Sequence, residues 1–344
     1  MSVDGPAIVL LADAAPQRGI GHAVRASTLA FALRNQGARV EVMGRGLGFI
    51  REVEPQFDTL NLGNLSLSDG IPASVKNIVQ YAPDLVITDG YFYPTDFYRA
   101  LAREGVFYGV VEDNAESQAE EPLLVINQNP NASSDEYKKR FPSSEYFLGL
   151  DFAIIRPSAR IGYPSSGQSD GSVFVLIGGS DPKQLSLPLA HRLAKERKEM
   201  KIAIGPAVTG REKIVKELQA LPGLSLPRQA DIPQAMASSS VCILAGGTSL
   251  WEANYMAKPV VGLAVADNQV APLRAAKEAR VVAEMVDARI DDPHGVADNV
   301  VRILGTLAGS KGLTALRQVD GFGADRLAVG ILGILTQSER NRTN

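Results

Sequence analysis

The sequence predicts an α/β protein made of two domains, each with a parallel sheet. Short apolar strands alternate with helical segments along the chain, and this alternation favours parallel strands joined by right-handed crossovers. A strand, a glycine loop and a helix open each half, at 8–33 and again at 173–199. The length of 344 residues fits two domains of ordinary size, each large enough to bury a core.

The first half, assigned to 1–157, begins with a buried strand at 8–11. Gly19 and Gly21 then allow a sharp turn and a close approach to a ligand, and a helix begins near His22. Further strands are expected at 38–43, 84–88, 106–111 and 123–127, and helices at 74–80 and 94–104. Ligands of such sheets bind at the carboxyl ends of strands. The residues that fall at those ends are Asp13, Gly44, Asp89 and Glu112.

The second half, assigned to 173–337, follows a linker at 158–172 that is rich in Pro, Ser and Gly. A strand at 173–177 leads through a glycine loop into a helix expected at 182–199, for which Asp181 and Pro182 are start signals. Further strands are expected at 201–204, 224–226, 241–244 and 260–265. A terminal helix is expected at 324–337, packed on the first domain or across both, followed by a frayed polar end at 338–344.

Composition and charge exclude several function classes. A net charge of −3 and a pI near 5.8 give no general attraction to nucleic acid or anionic membranes, so neither is expected as a partner. No apolar run approaches the roughly 20 residues of a membrane span, and the start lacks a secretory signal. A cytoplasmic protein, monomeric or weakly associated, is therefore expected. Cys242 is the only cysteine, which excludes a cysteine metal cluster, and no metal or cofactor is expected.

His22 is the candidate catalytic base. It lies at or beside a helix N-terminus, where the positive end of the helix dipole disfavours an imidazolium and keeps the ring neutral. A histidine in a short loop is often only a hydrogen-bonded cap. Of the three histidines, however, only His22 occupies a glycine loop after a buried strand. His191, in a polar helix, and His294, in an expected turn, have the pattern of surface residues.

Two glycine-rich loops of the second half are candidate sites for a phosphate and a sugar. In the loop 177–181, backbone amides are placed to cradle a phosphate before a helix. In the loop 245–252, Thr248 and Ser249 supply hydroxyls. Glu252 lies one helical turn beyond Thr248, where a carboxylate can accept from a ribose diol. Each signal alone is weak, because many glycine pairs after strands mark only a tight turn, and without the glycine pair Glu252 would be assigned to the surface of a helix.

A third candidate is the amide pair Asn268 and Gln269, which follows the strand predicted at 260–265. Such amides can fix a sugar or a water, and an ordinary solvated loop explains them equally well. Neither glycine loop of the chain matches the full G-x-G-x-x-G spacing, which disfavours a dinucleotide ligand.

Three motifs taken together resemble one enzyme family: GIGHAVR at 19–25, IGGSDP at 177–182, and GGTSLWE at 246–252 with ADNQ at 266–269. They resemble the UDP-2,4-diacetamido-2,4,6-trideoxy-β-L-altropyranose hydrolases of pseudaminic acid biosynthesis. The run YFLGLDFAIIRP at 146–157 is similar to that family's approach between domains. The same plan is similar to the UDP-GlcNAc transferase that makes the lipid-linked peptidoglycan precursor. The resemblance implies a GT-B fold, in which two Rossmann-type domains with parallel sheets face each other across a cleft.

The resemblance also implies a UDP-linked sugar between the domains, with uridine and diphosphate on the C-terminal half. His22, Tyr91 and Asn268 match the family's catalytic positions. Gly90 and Leu11 depart from the family pattern, which usually has His and Arg there. The substrate-binding residues that the resemblance implies are Gly19, Gly21, Arg25, Gly178, Gly179, Ser180, Asp181, Ile232 near the base, Gly247, Thr248, Ser249, Glu252 at the ribose, and Gln269.

The expected reaction is attack of water on the anomeric carbon of a UDP-linked diacetamido-trideoxy sugar, with release of UDP. His22 would deprotonate the water, and Asp13 would hold the imidazole tautomer. The amides of the helix after Ser180 would stabilise the leaving diphosphate. Two alternatives stay open: a GT-B glycosyltransferase in which His22 activates an acceptor hydroxyl, and a UDP-sugar-binding protein without catalysis.

Overall fold

The computed structural model describes residues 5–14, 20–161, 169–309 and 316–343, and these residues form two parallel sheets. The strands of the first sheet are β1 (Ala7–Ala12), β2 (Arg39–Met43), β3 (Asn61–Gly63), β4 (Leu85–Asp89), β5 (Phe107–Val111), β6 (Leu124–Asn127) and β7 (Glu145–Leu148). Their order is β3-β2-β1-β4-β5-β6-β7. The strands of the second sheet are β8 (Val173–Leu176), β9 (Met200–Ala203), β10 (Leu224–Ser225), β11 (Val241–Ala245), β12 (Val260–Ala264) and β13 (Glu284–Asp287), in the order β10-β9-β8-β11-β12-β13. We call the parts built around them the N-terminal and C-terminal lobes. The predicted pair of parallel α/β domains is confirmed.

Most of the helices lie between successive strands, and α12 and α13 follow the last one. Before β8 they are α1 (Gly21–Asn35), α2 (Ile50–Val53), α3 (Ile71–Val79), α4 (Thr95–Arg103), α5 (Ser134–Arg140) and α6 (Pro157–Arg160). After β8 they are α7 (Ser186–Lys195), α8 (Arg211–Gln219), α9 (Ile232–Ser238), α10 (Ser249–Tyr255), α11 (Val270–Glu278), α12 (Pro293–Gly309) and α13 (Gly323–Thr343). None of the described helices is long and apolar enough to cross a membrane.

Among the elements that were not predicted from the sequence are β7, β13, α5 and α12. The two strands form sheet edges and are mostly half-buried, so they lack the continuous apolar run that identifies a central strand. The turn expected around His294 is also wrong. This residue lies in the first turn of α12, where the Asp292 carboxylate accepts its backbone N–H at 2.9 Å.

Strand β1 is the centre of the N-terminal lobe, and every one of its residues is buried. Because successive side chains of a strand point to opposite faces, Ile8 and Leu10 join one apolar cluster and Val9 and Leu11 another. The sheet is thus covered on both faces, as parallel sheets usually are. Its central strand therefore carries the loop that leads into α1 on a rigid support.

Helix α13 packs on the N-terminal lobe, although it follows the C-terminal lobe in the chain. Leu327 and Ile331 are fully buried in the same cluster as Leu29 and Leu33 of α1. The expected end of this helix at 337 is wrong, since the helix continues to Thr343. Adding residues to an existing helix costs little compared with nucleating one, so a polar end can stay helical.

The segment 149–161 passes from one lobe to the other. Ile154 packs in the core of the N-terminal lobe, whereas Ala153, Ile155 and Ala159 pack in that of the C-terminal lobe. Of the linker predicted at 158–172, the residues 162–168 lie outside the described part of the chain. The passage is therefore anchored in both lobes before the linker begins.

Cys242 lies in β11, in the middle of the second sheet, and is fully buried. Burial raises the pKa of its thiol to about 12, so the reactive thiolate is absent near neutral pH. We expect no reaction with a disulfide reagent such as DTNB in the folded protein and one thiol per chain after denaturation in guanidinium. Rapid labelling of the folded protein would contradict the buried placement of β11.

Candidate active site

A cleft of about 610 Å³ lies between the lobes, within the usual size range of a small-molecule site. It is lined by loops at the carboxyl ends of strands from both sheets. Gly19 lies outside the described residues, and Asp181 does not line the cleft. The other predicted site residues line it: Asp13, Gly21, His22, Arg25, Tyr91, Gly178, Gly179, Ser180, Ile232, Gly247, Thr248, Ser249, Glu252, Asn268 and Gln269.

His22 lies in the first turn of α1, and its ring is held by a carboxylate. Asp89, at the end of β4, pairs with Ala12 in the β1–β4 register, which brings it beside the start of α1. The Asp89 Oδ1 lies 2.6 Å from His22 Nδ1. Because a carboxylate only accepts, Nδ1 carries the hydrogen of this bond, and Nε2 is left as the proton acceptor of the neutral ring.

The expectation that Asp13 holds the imidazole is wrong, because Asp89 takes that place. Asp13 lines the cleft, but its carboxylate accepts the backbone N–H of Arg45 at 3.0 Å and Nη2 of the same residue at 2.6 Å. The sequence placed both carboxylates at strand ends. Only the strand register shows that the end of β4 lies beside His22.

Arg25 lies one helical turn after His22 and is buried between two carboxylates. It donates from Nη2 to Asp89 Oδ1 at 2.7 Å, from Nε to Asp89 Oδ2 at 2.8 Å, and from Nη1 to Asp113 Oδ1 at 2.9 Å. Burial opposes ionisation of both aspartates, but the Arg25 guanidinium outweighs it and holds the pKa of each carboxyl below its usual range. The cluster thus keeps two negative charges behind His22.

Tyr91 connects this cluster to the other lobe. Its hydroxyl donates to Asp113 Oδ2, and it accepts from Nδ2 of Asn268 at 3.3 Å. Its ring stands edge-on to that of His22, with centroids 5.5 Å apart and an interplanar angle of 87°. Asn268 belongs to the loop after β12, so this hydrogen bond crosses the cleft.

The glycine turn at 178–180 of the C-terminal lobe lies against the start of α1 in the N-terminal lobe. Gly178, Gly179 and Ser180 form a turn after β8. A Cβ added to Gly179 would lie 2.9 Å from the backbone nitrogen of Ile20, which directly precedes α1. Only glycine permits this approach, so the turn of the C-terminal lobe lies directly against the start of α1, the helix that carries His22.

Asp181 has a structural role in place of the predicted ligand contact. Its carboxylate accepts the backbone N–H groups of Leu185 at 2.8 Å and Ser186 at 2.9 Å. Helix α7 therefore starts at Ser186, later than the start expected at 182. The amides of Leu185 and Ser186 are therefore occupied by Asp181, and contact of a diphosphate with the other amides after Ser180 stays a prediction.

Replacing Asp181 with alanine is expected to lower the free energy of unfolding by about 1–3 kcal/mol, the usual cost of leaving a buried donor without its acceptor. The amides of Leu185 and Ser186 would lose their acceptor. Asp181→Asn, which keeps one acceptor oxygen, should retain part of this stability. Urea unfolding of the three proteins measures the effect. Equal stability of the wild type and Asp181→Ala would show that these two hydrogen bonds contribute nothing to the free energy of unfolding.

Glu252 is buried and paired with Arg156, a residue that sequence analysis did not select. Arg156 Nη2 donates to Oε2 at 2.9 Å, and its Nε lies 2.9 Å from Oε1. Both side chains line the cleft. A carboxylate oxygen accepts more than one hydrogen bond, so the ribose contact of Glu252 stays a prediction. The signal for Arg156 was its place in the apolar run that crosses between the lobes.

Gln269 and Ile232 also line the cleft, and their contacts with a ligand stay predictions. The Gln269 side-chain oxygen accepts the backbone N–H of Val265 at 2.9 Å, which closes the loop after β12. Ile232 is buried at the start of α9. Among the described residues, no group of three or more His, Cys, Asp or Glu side chains is arranged to hold a metal ion.

Comparison with solved structures identifies the fold. The structure is similar to a Staphylococcus aureus MnaA–UDP co-structure, with a TM-score of 0.64 and 15% sequence identity over 96% of this chain and 97% of that one. It is also similar to Acinetobacter baumannii MurG, with a TM-score of 0.59 and 16% identity over 96% and 100%. A third is a UDP-GlcNAc 2-epimerase of Neisseria meningitidis bound to UDP-GlcNAc, with a TM-score of 0.57 and 13% identity over 96% and 100%. The protein has the GT-B fold.

Sequence relatives of this GT-B protein are distant. An uncharacterized protein of Methanocaldococcus jannaschii is 22% identical over 274 residues, which are 74% of this chain and 55% of that protein. The spore coat polysaccharide biosynthesis protein SpsG of Bacillus subtilis is 28% identical over 137 residues, 38% of this chain and 40% of that one. The chain thus spans about half the length of the curated relatives it matches, or less. No protein-family model matches it.

Two positions that depart from the hydrolase pattern have a packing reason in this GT-B protein. Gly90 has a φ of +150°, and a Cβ there would lie 2.6 Å from the Phe92 ring. A histidine at 90 is therefore incompatible with this placement of Phe92. Leu11 is fully buried in an apolar cluster with Phe97, where an arginine would be a buried unpaired charge.

Proposed function

We propose that the protein cleaves the bond between the anomeric carbon and the diphosphate of a UDP-linked sugar and transfers the glycosyl group to a hydroxyl. The observation that carries this proposal is the His22–Asp89 pair at the wall of a cleft whose other wall is formed by glycine loops. Two of the solved GT-B structures contain UDP or UDP-GlcNAc. Their ligands support a nucleotide sugar as the substrate class.

In the proposed step, His22 Nε2 accepts the proton of an acceptor hydroxyl as its oxygen attacks the anomeric carbon. The carbon–oxygen bond to the diphosphate breaks, and UDP leaves with the electron pair. The hydroxyls of Thr248 and Ser249 at the start of α10 would contact the diphosphate. Asp89 stabilises the imidazolium that forms, in the way carboxylates support a catalytic histidine.

Hydrolysis is the second candidate, with water in place of the acceptor hydroxyl. It is favoured by the GIGHAVR motif at 19–25, which resembles the hydrolases of pseudaminic acid biosynthesis. The chemistry asked of His22 is the same in both reactions. The candidates differ only in what enters the N-terminal side of the cleft.

A panel of UDP-linked sugars, with and without sugar acceptors, tests the proposal by release of free UDP. Release that needs an acceptor supports a glycosyltransferase, and release from the UDP-sugar alone supports a hydrolase. ADP- and GDP-linked sugars serve as controls for the base. Binding of UDP in calorimetry without turnover of any sugar in the panel would refute catalysis and leave a UDP-sugar-binding protein.

A further inference from the structure

We propose that Asp113 is a positioning residue that couples closure of the two lobes to the orientation of His22. The proposal rests on the proposed function, in which His22 is the base. It concerns a continuous chain of side-chain contacts that starts at Asn268 in the C-terminal lobe and ends at the imidazole. Its intermediate members are Tyr91, Asp113, Arg25 and Asp89.

The first step is the bond across the cleft. Asn268 donates to the Tyr91 hydroxyl at 3.3 Å, and that hydroxyl donates to Asp113. Burial, together with the negative charge of Asp113, raises the pKa of Tyr91, so the hydroxyl keeps its hydrogen. Tyr91 therefore accepts from one lobe and donates within the other, and opening of the cleft removes the donor of the first bond.

The second step is the sharing of one guanidinium by two carboxylates. Asp113 contacts Arg25 at 2.9 Å, and Asp89 contacts it at 2.7 and 2.8 Å. Arg25 and Asp89 are buried and Asp113 is half-buried, so the charge interactions among them are less screened than at the surface. A displacement of Asp113 therefore moves Arg25 relative to Asp89, the carboxylate that holds His22 Nδ1.

The third step concerns what holds Asp113 in place. Asn129 donates to its Oδ1 at 3.0 Å, and Asn127 donates to its backbone oxygen at 3.3 Å. Its other oxygen, Oδ2, accepts the Tyr91 hydroxyl and also Arg25 Nη2 at 3.3 Å. The carboxylate is thus held by the N-terminal lobe through both oxygens, and through Oδ2 it also contacts the residue that bonds to the C-terminal lobe.

The decisive measurement is the side-chain ¹⁵N spectrum of the histidines, which needs no turnover. The chain has only three histidines, so His22 is assigned by substitution. We expect Asn268→Ala to shift the His22 ring signals although the hydrogen bond of Asn268 goes to Tyr91, and to leave those of His191 and His294 unchanged. In a Tyr91→Phe background, which keeps the ring and removes the hydroxyl, Asn268→Ala should cause no further shift.

Kinetics provide the second measurement. Asn268→Ala and Asp113→Asn should each lower kcat for UDP release by about tenfold, the range of one or two lost hydrogen bonds, with little change in KM. Combined, they should again cost about tenfold and not about a hundredfold, because they interrupt one chain. Asn77→Ala, on the exposed face of α3, is the matched control and should change neither kcat nor the His22 signals.

The proposal is overturned if Asn268→Ala leaves the His22 signals unchanged, or if the shift persists in the Tyr91→Phe background. Multiplicative losses in kcat would also overturn it. If Asp113→Asn does not fold, Asn129→Ala takes its place, because it removes a donor to Asp113 Oδ1 and leaves Tyr91 intact; unchanged His22 signals in that variant would overturn the role of Asp113. If the wild type releases no UDP from any sugar, the proposed function fails while the spectra still test the coupling.

Discussion

Replacing His22 with asparagine is expected to lower the rate of UDP release by about 10²–10⁴-fold, the usual contribution of a general base, with little change in UDP affinity. Asparagine keeps a polar group near Asp89 but cannot accept a proton at physiological pH. The proposed UDP contacts belong to the C-terminal lobe, so binding should persist. His22→Leu, which also removes the hydrogen bond to Asp89, should lose at least as much activity.

The measurement is steady-state release of UDP together with calorimetry of UDP binding for each variant. His191→Asn is the matched control, because His191 is exposed on α7 and does not line the cleft. Wild-type turnover by His22→Asn would refute the assignment of the base. Loss of UDP binding by the same variant would show that the imidazole holds the nucleotide and that the lobes have been given the wrong roles.

Replacing Arg25 with leucine should destabilise the fold by about 3–5 kcal/mol, the cost of breaking a buried ion pair from one side. The buried Asp89 and the half-buried Asp113 would lose the cation that they share. In the wild type the pKa of each carboxyl is lowered, so their stabilisation is present above the unfolded pKa and is lost as pH falls through the folded pKa. In the variant the charge of Arg25 is gone, and burial, the largest effect on both groups, is expected to outweigh the remaining hydrogen bonds from His22 and Tyr91 and to raise both pKa values.

The sign of the pH dependence is therefore opposite in the two proteins for these groups. A carboxyl with a raised pKa binds its proton more tightly in the folded state, so the variant gains stability from these groups as pH falls. The stability difference between wild type and Arg25→Leu should narrow from neutral pH to about pH 4, near the unfolded carboxyl pKa. Urea unfolding across this range measures the difference.

Arg99→Leu, which removes an exposed pair with Glu120, is the control and should change stability little. A difference that is constant with pH would contradict the shared-cation account.

Much of the candidate site could be predicted from the sequence, because short continuous segments of the chain form its two walls. Strand β1 ends at Ala12 and helix α1 begins at Gly21, so the residues around His22 are close in the chain. The apolar run of β1 predicts that this strand is buried. The C-terminal loop at 246–249 is of the same kind. In both segments, glycines permit the turn after the strand, and the polar side chains that follow them line the cleft.

The hydrogen-bond partners of these residues could not be predicted from the sequence, because they depend on the strand register and on where each helix begins. Asp89 lies 67 positions from His22, and only the parallel pairing of β1 with β4 brings them together. Asp181 carried the signals of a helix start, but whether its carboxylate faces a ligand or the helix amides depends on where α7 begins. Arg156 was missed because a single arginine in an apolar run has no periodicity that reveals its partner Glu252.

The return of α13 to the first lobe bears on how the protein is made. Leu29 and Leu33 of α1 are covered by α13, which is synthesised only after the whole of the second lobe. During translation, the apolar face of α1 in the nascent first lobe therefore stays uncovered while the ribosome adds roughly half of the chain. An exposed apolar face of this kind makes a nascent chain prone to aggregation. Chaperone dependence of the newborn chain is the expected result of that order of synthesis.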